Sequence, residues 1–370
     1  MICRSNPVAP DPRVERTAEA LAGAGFWVTV VGWDRGWGLP PEEDRGSYRV
    51  ARLWIPAAFG RGLRNLPTMA CWQVALFDRL RRLQKNYDII HACDLDTALP
   101  ALVAARAFNK RLVLDIFDSY PDAFRLGPLR QAARRLEVLV ASVADAVIIA
   151  DEARRVQLGS VRTRRLEVIY NSPPDRLAEL NLVRRDRTAP FTLAYVGLLD
   201  RTRGLLTLLD VLATRPDWRL ELGGFGVDED LIRERTRRLP NVRFHGRVSY
   251  ELALQLMAGA DALVATYDPT VPNHRYASPN KLFEAMMLAK PIIVAAGTHI
   301  DDLVRRQGCG LVVPYGQTRA LAEALERLAA DPDLRDRMGL AGRRAYEAYY
   351  RWDLMRDRLI ALYRELASGR

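Results

Sequence analysis

Three stretches of the second half of the chain carry residue types that could hold a phosphorylated ligand. The most informative is Ala277-Ser278-Pro279-Asn280-Lys281-Leu282-Phe283-Glu284. Ser278 is a favourable N-cap, and Pro279 suits the first position of a helix. Asn280 to Ala289 then reads as a short helix, with Leu282, Ala285, Met286 and Ala289 available for burial. Unpaired amides and the dipole at a helix start make an anion site. Glu284 lies just over one turn further in, badly placed for a phosphate but well placed to accept hydrogen bonds from a vicinal diol such as a ribose. A capped surface helix with an exposed Glu284 would explain the same residues.

The second stretch, Tyr195-Val196-Gly197-Leu198-Leu199-Asp200-Arg201-Thr202-Arg203-Gly204, reads as a strand ending at Gly197, a loop with two arginines, and a helix opened by Gly204. The planar fork of Arg203 suits a diphosphate; an exposed loop arginine is the plainer explanation. The third, Leu222-Gly223-Gly224-Phe225-Gly226 followed by Asp228, allows close backbone approach at Gly224. Its glycine pattern is incomplete, which counts against a nicotinamide dinucleotide. In the first half, His91-Ala92-Cys93-Asp94-Leu95-Asp96 and Asp115-Ile116-Phe117-Asp118-Ser119-Tyr120 each follow a strand-like run. His91, Asp94 and Asp118 there could face an acceptor and act on its hydroxyl, Asp94 or Asp118 as the proton-handling group. Helix N-capping by Asp94 and Asp118 is the alternative.

These residues must be positioned by the elements between them. Strand-like runs fall at Phe26–Gly32, expected to be buried, and at Tyr48–Ile55, Tyr87–His91, Arg111–Asp115, Ala146–Ala150 and Leu166–Tyr170. Helical patterns at Val14–Ala24, Met69–Gln84 and Pro128–Ala144 lie among them. A polar stretch from Pro173 to Pro190 reads as a linker, after which the alternation restarts. Runs follow at Phe191–Gly197, Arg219–Gly223, Val242–His245, Ala262–Thr266, Pro291–Ala295 and Gly310–Val313, and a last helix at about Tyr349–Ala367. Such alternation argues for two α/β units with parallel sheets, whose ligands bind beyond the carboxyl ends of the strands.

The chain has 370 residues, 55 of them Lys or Arg against 45 Asp or Glu. Up to Arg185 there are 28 basic and 21 acidic residues, so most of the excess lies in the first half. That bias suits an anionic membrane surface or a phosphorylated substrate. No zinc-finger spacing, RNP-like motif or dominant basic run points to nucleic acid. Cys3, Cys71, Cys93 and Cys309 lack CxxC spacing, which argues for reduced thiols and against a structural zinc. No run approaches the ~20 apolar residues of a membrane span, and the N-terminus lacks the apolar core of a signal peptide. A cytoplasmic protein, touching the inner membrane leaflet at most peripherally, is the expectation. Arg61, Arg64, Arg79, Arg81, Arg82 and Lys85, around Leu66, Met69, Trp72 and Leu76, form the candidate lipid-facing surface.

Taken in order, Asp11-Pro12-Arg13-Val14, Val28–Gly32, His91–Asp96, Asp115–Asp118, Ile169-Tyr170-Asn171, Gly197–Gly204, Gly223–Gly226, Asn241–Gly246, Ser278–Glu284 and Trp352 resemble the GT-B retaining glycosyltransferases of family 4. The resemblance implies an α/β GT-B architecture of two Rossmann-like parallel-sheet domains facing across a cleft. An N-terminal acceptor-binding domain would span 1–182, joined by a C-terminal helix over 349–370, and a nucleotide-sugar domain would span 190–348. It implies sugar transfer from a UDP- or GDP-type donor to a hydroxyl of a lipid-linked or saccharide acceptor, with no metal or other cofactor. Arg203 would stand for the usual lysine and bind the diphosphate, Glu284 would hold the ribose, and the backbone from Ser278 through Pro279 and Asn280 to Lys281 would approach the phosphates. Four positions depart from the family: Tyr276 replaces the first glutamate of its E-x7-E pattern, Leu198 a frequent arginine, and Cys93 and Phe117 frequent histidines. The nucleotide half of the site matches and the sugar half is altered. A sugar-nucleotide epimerase of related fold and a degenerate glycosyltransferase kept as a binding partner are the rival readings.

Overall fold

The computed structural model describes residues 1–36, 38–58, 65–124, 126–180 and 189–369. Two compact units emerge, Met1–Tyr170 with Asp353–Arg370, and Asn171–Trp352. The first holds strands β1 (Ile2–Arg4), β2 (Thr29–Asp34), β3 (Glu42–Asp44), β4 (Arg49–Trp54), β5 (Ile89–Cys93), β6 (Arg111–Ile116), β7 (Ala146–Ile149) and β8 (Leu166–Val168). Their order is β3-β4-β2-β1-β5-β6-β7-β8, parallel except where β3 runs antiparallel on the β4 edge. The second holds β9 (Thr192–Leu198), β10 (Arg219–Phe225), β11 (Val242–Gly246), β12 (Ala262–Ala265), β13 (Ile292–Ala295) and β14 (Gly310–Val313). These are ordered β11-β10-β9-β12-β13-β14, with every pairing parallel. In each sheet the chain works outward on one side before crossing to the other. The crossings fall between β1 and β5 and between β9 and β12, and such switch points leave a crevice at the carboxyl ends of the strands.

Local chemistry accounts for the elements. The helix Pro12–Gly23 starts with Asp11 accepting from the Val14 amide at 3.3 Å and with proline in its first turn. It buries Val14, Thr17, Ala18 and Leu21, the spacing of one helical face. In the first core Trp33 and Trp72 stack with centroids 5.1 Å apart and planes 8° from parallel. Helix Trp352–Ser368 packs on the first unit from Asp353 onward, burying Met355, Leu359, Leu362 and Tyr363. Each such buried large side chain contributes about 1.5–3 kcal/mol relative to exposure.

Several expectations need correction. The run Phe26–Gly32 is not wholly a buried strand: β2 begins at Thr29, and Trp27 is 96 % exposed. The expected strand Tyr87–His91 lies two residues later, so His91 is inside β5 rather than beyond it. Of the candidate lipid-facing residues, Trp72 and Leu76 are fully buried in the core of the first unit. Arg79 pairs with Glu42, and Arg81 and Arg82 pair with Asp78; Arg61 and Arg64 lie outside the described residues, as does 181–188 of the expected linker. The earlier part of that linker is held in the second unit, where Tyr346 donates to the Pro173 carbonyl at 2.8 Å and Arg343 pairs with Asp175. Among the described residues no helix is long and apolar enough to cross a membrane.

The tightest backbone approach joins β9 and β10, where Gly224 (φ +147°) sits opposite Gly197 and any Cβ would collide with the Gly197 carbonyl. Gly224→Ala is therefore expected to destabilise the second unit by about 3 kcal/mol or more, seen as a lower calorimetric melting transition. Gly23→Ala, at a position with open space around it, should change stability by about 1 kcal/mol at most.

Candidate functional site

In the second unit the switch point between β9 and β12 gathers the predicted residues. The turn after β9 is built by Asp200, whose Oδ1 accepts from the Thr202 amide at 2.8 Å and its hydroxyl at 2.6 Å. Arg201 is committed to Asp228, with contacts of 2.6 and 3.0 Å. Arg203 is not so engaged. Its guanidinium lies 4.4 Å from the ring centroid of Tyr267, its Nε is buried without a hydrogen-bond partner, and among the described residues it has no ion-pair partner. Gly204, at φ +67°, leads into helix Leu205–Ala213, where a side chain would strike Thr266.

Lys281 reaches the same place from the helix Asn280–Met287. Its ammonium stands 3.3 Å from the ring centroid of Tyr195 and 5.9 Å from that of Tyr267, and 3.2 Å from where a Cβ on Gly197 would sit. Only 8 % of the residue is exposed. Burial, then Arg203, pushes the ammonium well below its ordinary pKa, with Glu284 opposing. Among the described residues no carboxylate lies within ion-pairing distance of it. Two cations thus share an aromatic lining at a strand-end crevice, neither with an ion-pair partner among the described residues, which is the arrangement that a diphosphate would complete. Lys281 also comes to the end of β9, beside Leu198, where the family resemblance leads one to look for an arginine.

The helix itself departs from expectation. It begins at Asn280, with Pro279 extended (ψ 136°) before it, and Ser278 makes no capping bond. Because Pro279 is extended, the Ser278 hydroxyl lies outside the helical turn it was expected to close. Ser278 Oγ is instead buried without a partner, and the Ser278 carbonyl accepts from Asn171 Nδ2 at 3.1 Å. Every residue from Lys281 to Met287 is buried, Glu284 included, so the exposed surface helix is excluded. Ala289 lies beyond the helix at φ +53°. Gly224 is explained by its closeness to Gly197 whether or not a ligand is present.

In the first unit the switch point between β1 and β5 carries a connected ionic cluster. Asp94, at φ +63°, does not cap the helix Leu95–Ala107 with its side chain. Its Oδ1 accepts from the Phe117 amide at 2.8 Å and the Asp118 amide at 3.3 Å, and its Oδ2 from Arg4. Burial pushes its carboxyl up to about 7, Arg4 opposing and Asp96 and Asp118 adding to the rise. Arg4 also holds Asp11 at 2.8 Å. Arg13 binds Asp115 at 2.7 and 3.2 Å and the Ile169 carbonyl at 2.7 Å. Phe117 lies against both guanidinia, 4.3 Å from Arg4 and 4.8 Å from Arg13. Asp118 is half-exposed and meets Arg154 at 2.8 Å rather than capping a helix, since Ser119 precedes the turn Tyr120–Ala123. His91 is fully buried, Nδ1 2.6 Å from the Tyr363 hydroxyl and Nε2 3.3 Å from Asp115. It therefore braces Asp115 from behind, whereas Asp94 and Asp118 meet at the strand ends. Asp96 receives the Ser5 hydroxyl on Oδ2, while its Oδ1 is buried without a partner. Among the described residues no group of three or more His, Cys, Asp or Glu could hold a metal ion.

Sequence reasoning did not single out Arg4, Tyr195 or Tyr267. Arg4 ends β1, Tyr195 lies within β9 and Tyr267 follows β12, and only the tertiary fold brings them to the charged groups.

Residues 190–331 match the family model of the glycosyl transferases group 1, and residues 9–172 that of the glycosyl transferase 4-like domain. The chain belongs to the GT-B glycosyltransferases of family 4. This glycosyltransferase is 24 % identical over 381 residues to the phosphatidyl-myo-inositol mannosyltransferase of Mycobacterium leprae, covering 100 % of this chain and 97 % of that one. Among solved structures it resembles the sucrose-phosphate synthase of Thermosynechococcus elongatus, with TM-score 0.81, 22 % identity, and 100 % and 99 % of the two chains covered. It also resembles Anabaena HepE in complex with UDP and glucose, with TM-score 0.74, 18 % identity and 99 % of both chains covered. Both likenesses carry the GT-B fold.

The depressed Lys281 ammonium has a consequence for ligand binding by this glycosyltransferase. An anion beside it raises its pKa, so binding draws in a proton, and affinity weakens as pH rises through the value of the free protein. Titration calorimetry with UDP and GDP in HEPES and in Tris should show buffer-dependent heats that report proton uptake. Lys281→Met should abolish that dependence and weaken binding by about tenfold or more.

Proposed function

We propose that the second unit binds a UDP- or GDP-sugar with its diphosphate between Arg203, Lys281 and the amides that open helix Asn280–Met287. Glu284, one turn deeper and buried, receives the ribose hydroxyls. The sugar passes, with retention of configuration and without a metal, to a hydroxyl of a lipid-linked or saccharide acceptor held at the strand ends of the first unit near Asp94 and Asp118. The observation that carries this reading is the pair of cations at one crevice with aromatic faces and, among the described residues, no carboxylate within ion-pairing distance of either. A diphosphate leaving group supplies the missing charge, and the cations stabilise it as the glycosidic bond breaks.

A lipid-linked acceptor is supported by the basic excess of the first half and by the likeness to the mycobacterial phosphatidyl-myo-inositol mannosyltransferase. The protein then works peripherally on the cytoplasmic face of the membrane, in making a glycolipid or cell-surface polysaccharide.

A thermal-shift screen against UDP, GDP, ADP and their sugars should raise the melting point with UDP- or GDP-type ligands. Glu284→Ala should reduce turnover of the preferred donor by about a hundredfold, and Arg203→Met should remove the shift. Stabilisation by none of the nucleotides would rule the reading out. For the membrane contact, co-sedimentation with anionic vesicles should occur at low salt and fade at high salt; absence at low salt counts against it.

A further inference from the structure

The loop after β12 carries a histidine that the proposed chemistry leaves unused. His274 sits in the short 3-10 turn Pro272–Tyr276. The loop is held against the turn bearing Arg203, because the Asp268 amide donates to the Thr202 carbonyl at 2.9 Å. It is braced internally as well. Asp268 Oδ1 accepts from the Thr270 amide at 2.8 Å and hydroxyl at 2.7 Å, and Arg275 Nε donates to the Pro269 carbonyl at 2.9 Å. His274 is therefore preorganised beside the cation pair.

Its tautomer follows from its one hydrogen bond. Nδ1 lies 3.1 Å from the Asp268 carbonyl oxygen, which can only accept. Nδ1 therefore carries the proton, and Nε2 holds a lone pair. The residue is 8 % exposed, and among the described residues Nε2 has no hydrogen-bond partner. The ring meets Tyr267 edge to face at 5.5 Å, and the Arg203 guanidinium lies 4.4 Å from the same tyrosine ring. Burial, then Arg203, holds the imidazole below its ordinary pKa, so it stays neutral.

A neutral ring with a lone pair on Nε2 repels phosphate oxygens, which are themselves acceptors, and the neighbouring cations repel an amine. A hydroxyl is the donor that suits it. Resting on the proposed diphosphate site, in which Glu284 already takes the ribose, we propose that His274 recognises a hydroxyl of the donor sugar, its Nε2 accepting the hydrogen bond. His274 thereby determines donor specificity for the transfer.

The test compares nucleotides with and without the sugar, using the full chain and calorimetric titration with UDP, GDP, UDP-glucose and GDP-mannose. His274→Phe should leave the dissociation constant of the preferred nucleoside diphosphate within about twofold, and weaken its sugar nucleotide about tenfold or more. His274→Gln, which keeps an acceptor at a similar reach, should recover part of that loss, and it is the deciding variant should the phenylalanine form not fold. Equal weakening of nucleotide and sugar nucleotide, or weakening of neither, overturns the inference while leaving the diphosphate site standing. Failure of the wild-type chain to bind any of the four overturns the site and the inference together.

Discussion

An ammonium group that has left water without an ion-pair partner among the described residues organises the second unit. Lys281 is tolerated there because aromatic faces receive it, Tyr195 most closely and Tyr267 beyond, and because a proton affinity held well below the ordinary value eases the cost of its burial. Each neighbouring feature follows from making room for it. β9 must carry glycine at its penultimate position, where the ammonium passes, and the turn after it must swing Arg203 over the far tyrosine. The helix must begin at Asn280 so that its second residue delivers the lysine. A site built around uncompensated charge is poorly stable when empty and gains when filled.

The first unit solves the opposite problem. Its arginines are matched: Arg4 spans Asp11 and Asp94, and Arg13 grips Asp115 with both ends of its fork. Burial opposes ionisation of Asp115, yet Arg13 and His91 hold it below its ordinary pKa. The paired charges serve to fix Phe117 and the strand-end loops, not to attract a polyanion. Asp94 is saturated by three donors, and Asp96 keeps a buried oxygen without one. The strand-end cluster of one unit is thus electrostatically closed and that of the other open.

The two-sheet architecture was legible because buried parallel strands and amphipathic helices leave different periodicities, and the runs fell within two or three residues of the observed strands. The edge strand Glu42–Asp44 was not legible. It is short, acidic and antiparallel, and it is held by β4 rather than by any pattern of its own. Trp27 misled for a related reason, since an apolar residue at a strand entrance is as free to face water as the core. At the site, positions such as Arg203, Lys281 and Glu284 could be named from motif spacing. Whether they met could not, because Tyr195 and Tyr267 bring them together across separate strands. The one-residue error at Ser278 arose because proline fits both the helical and the extended conformation that precedes it.

The return of the last helix has a meaning for biosynthesis. Tyr363, buried against His91 and packed edge-on to Phe26 at 5.7 Å, belongs to a unit whose other residues precede Asn171. A nascent chain leaving the ribosome thus exposes the whole first sheet long before its final helix exists. Proteins ordinarily fold amino-terminal domain first during synthesis. Here that domain stays unsealed until helix Trp352–Ser368 has followed the second unit out of the ribosome, so chaperone dependence and sensitivity to premature termination both concentrate on the surface that Met355, Leu359, Leu362 and Tyr363 cover.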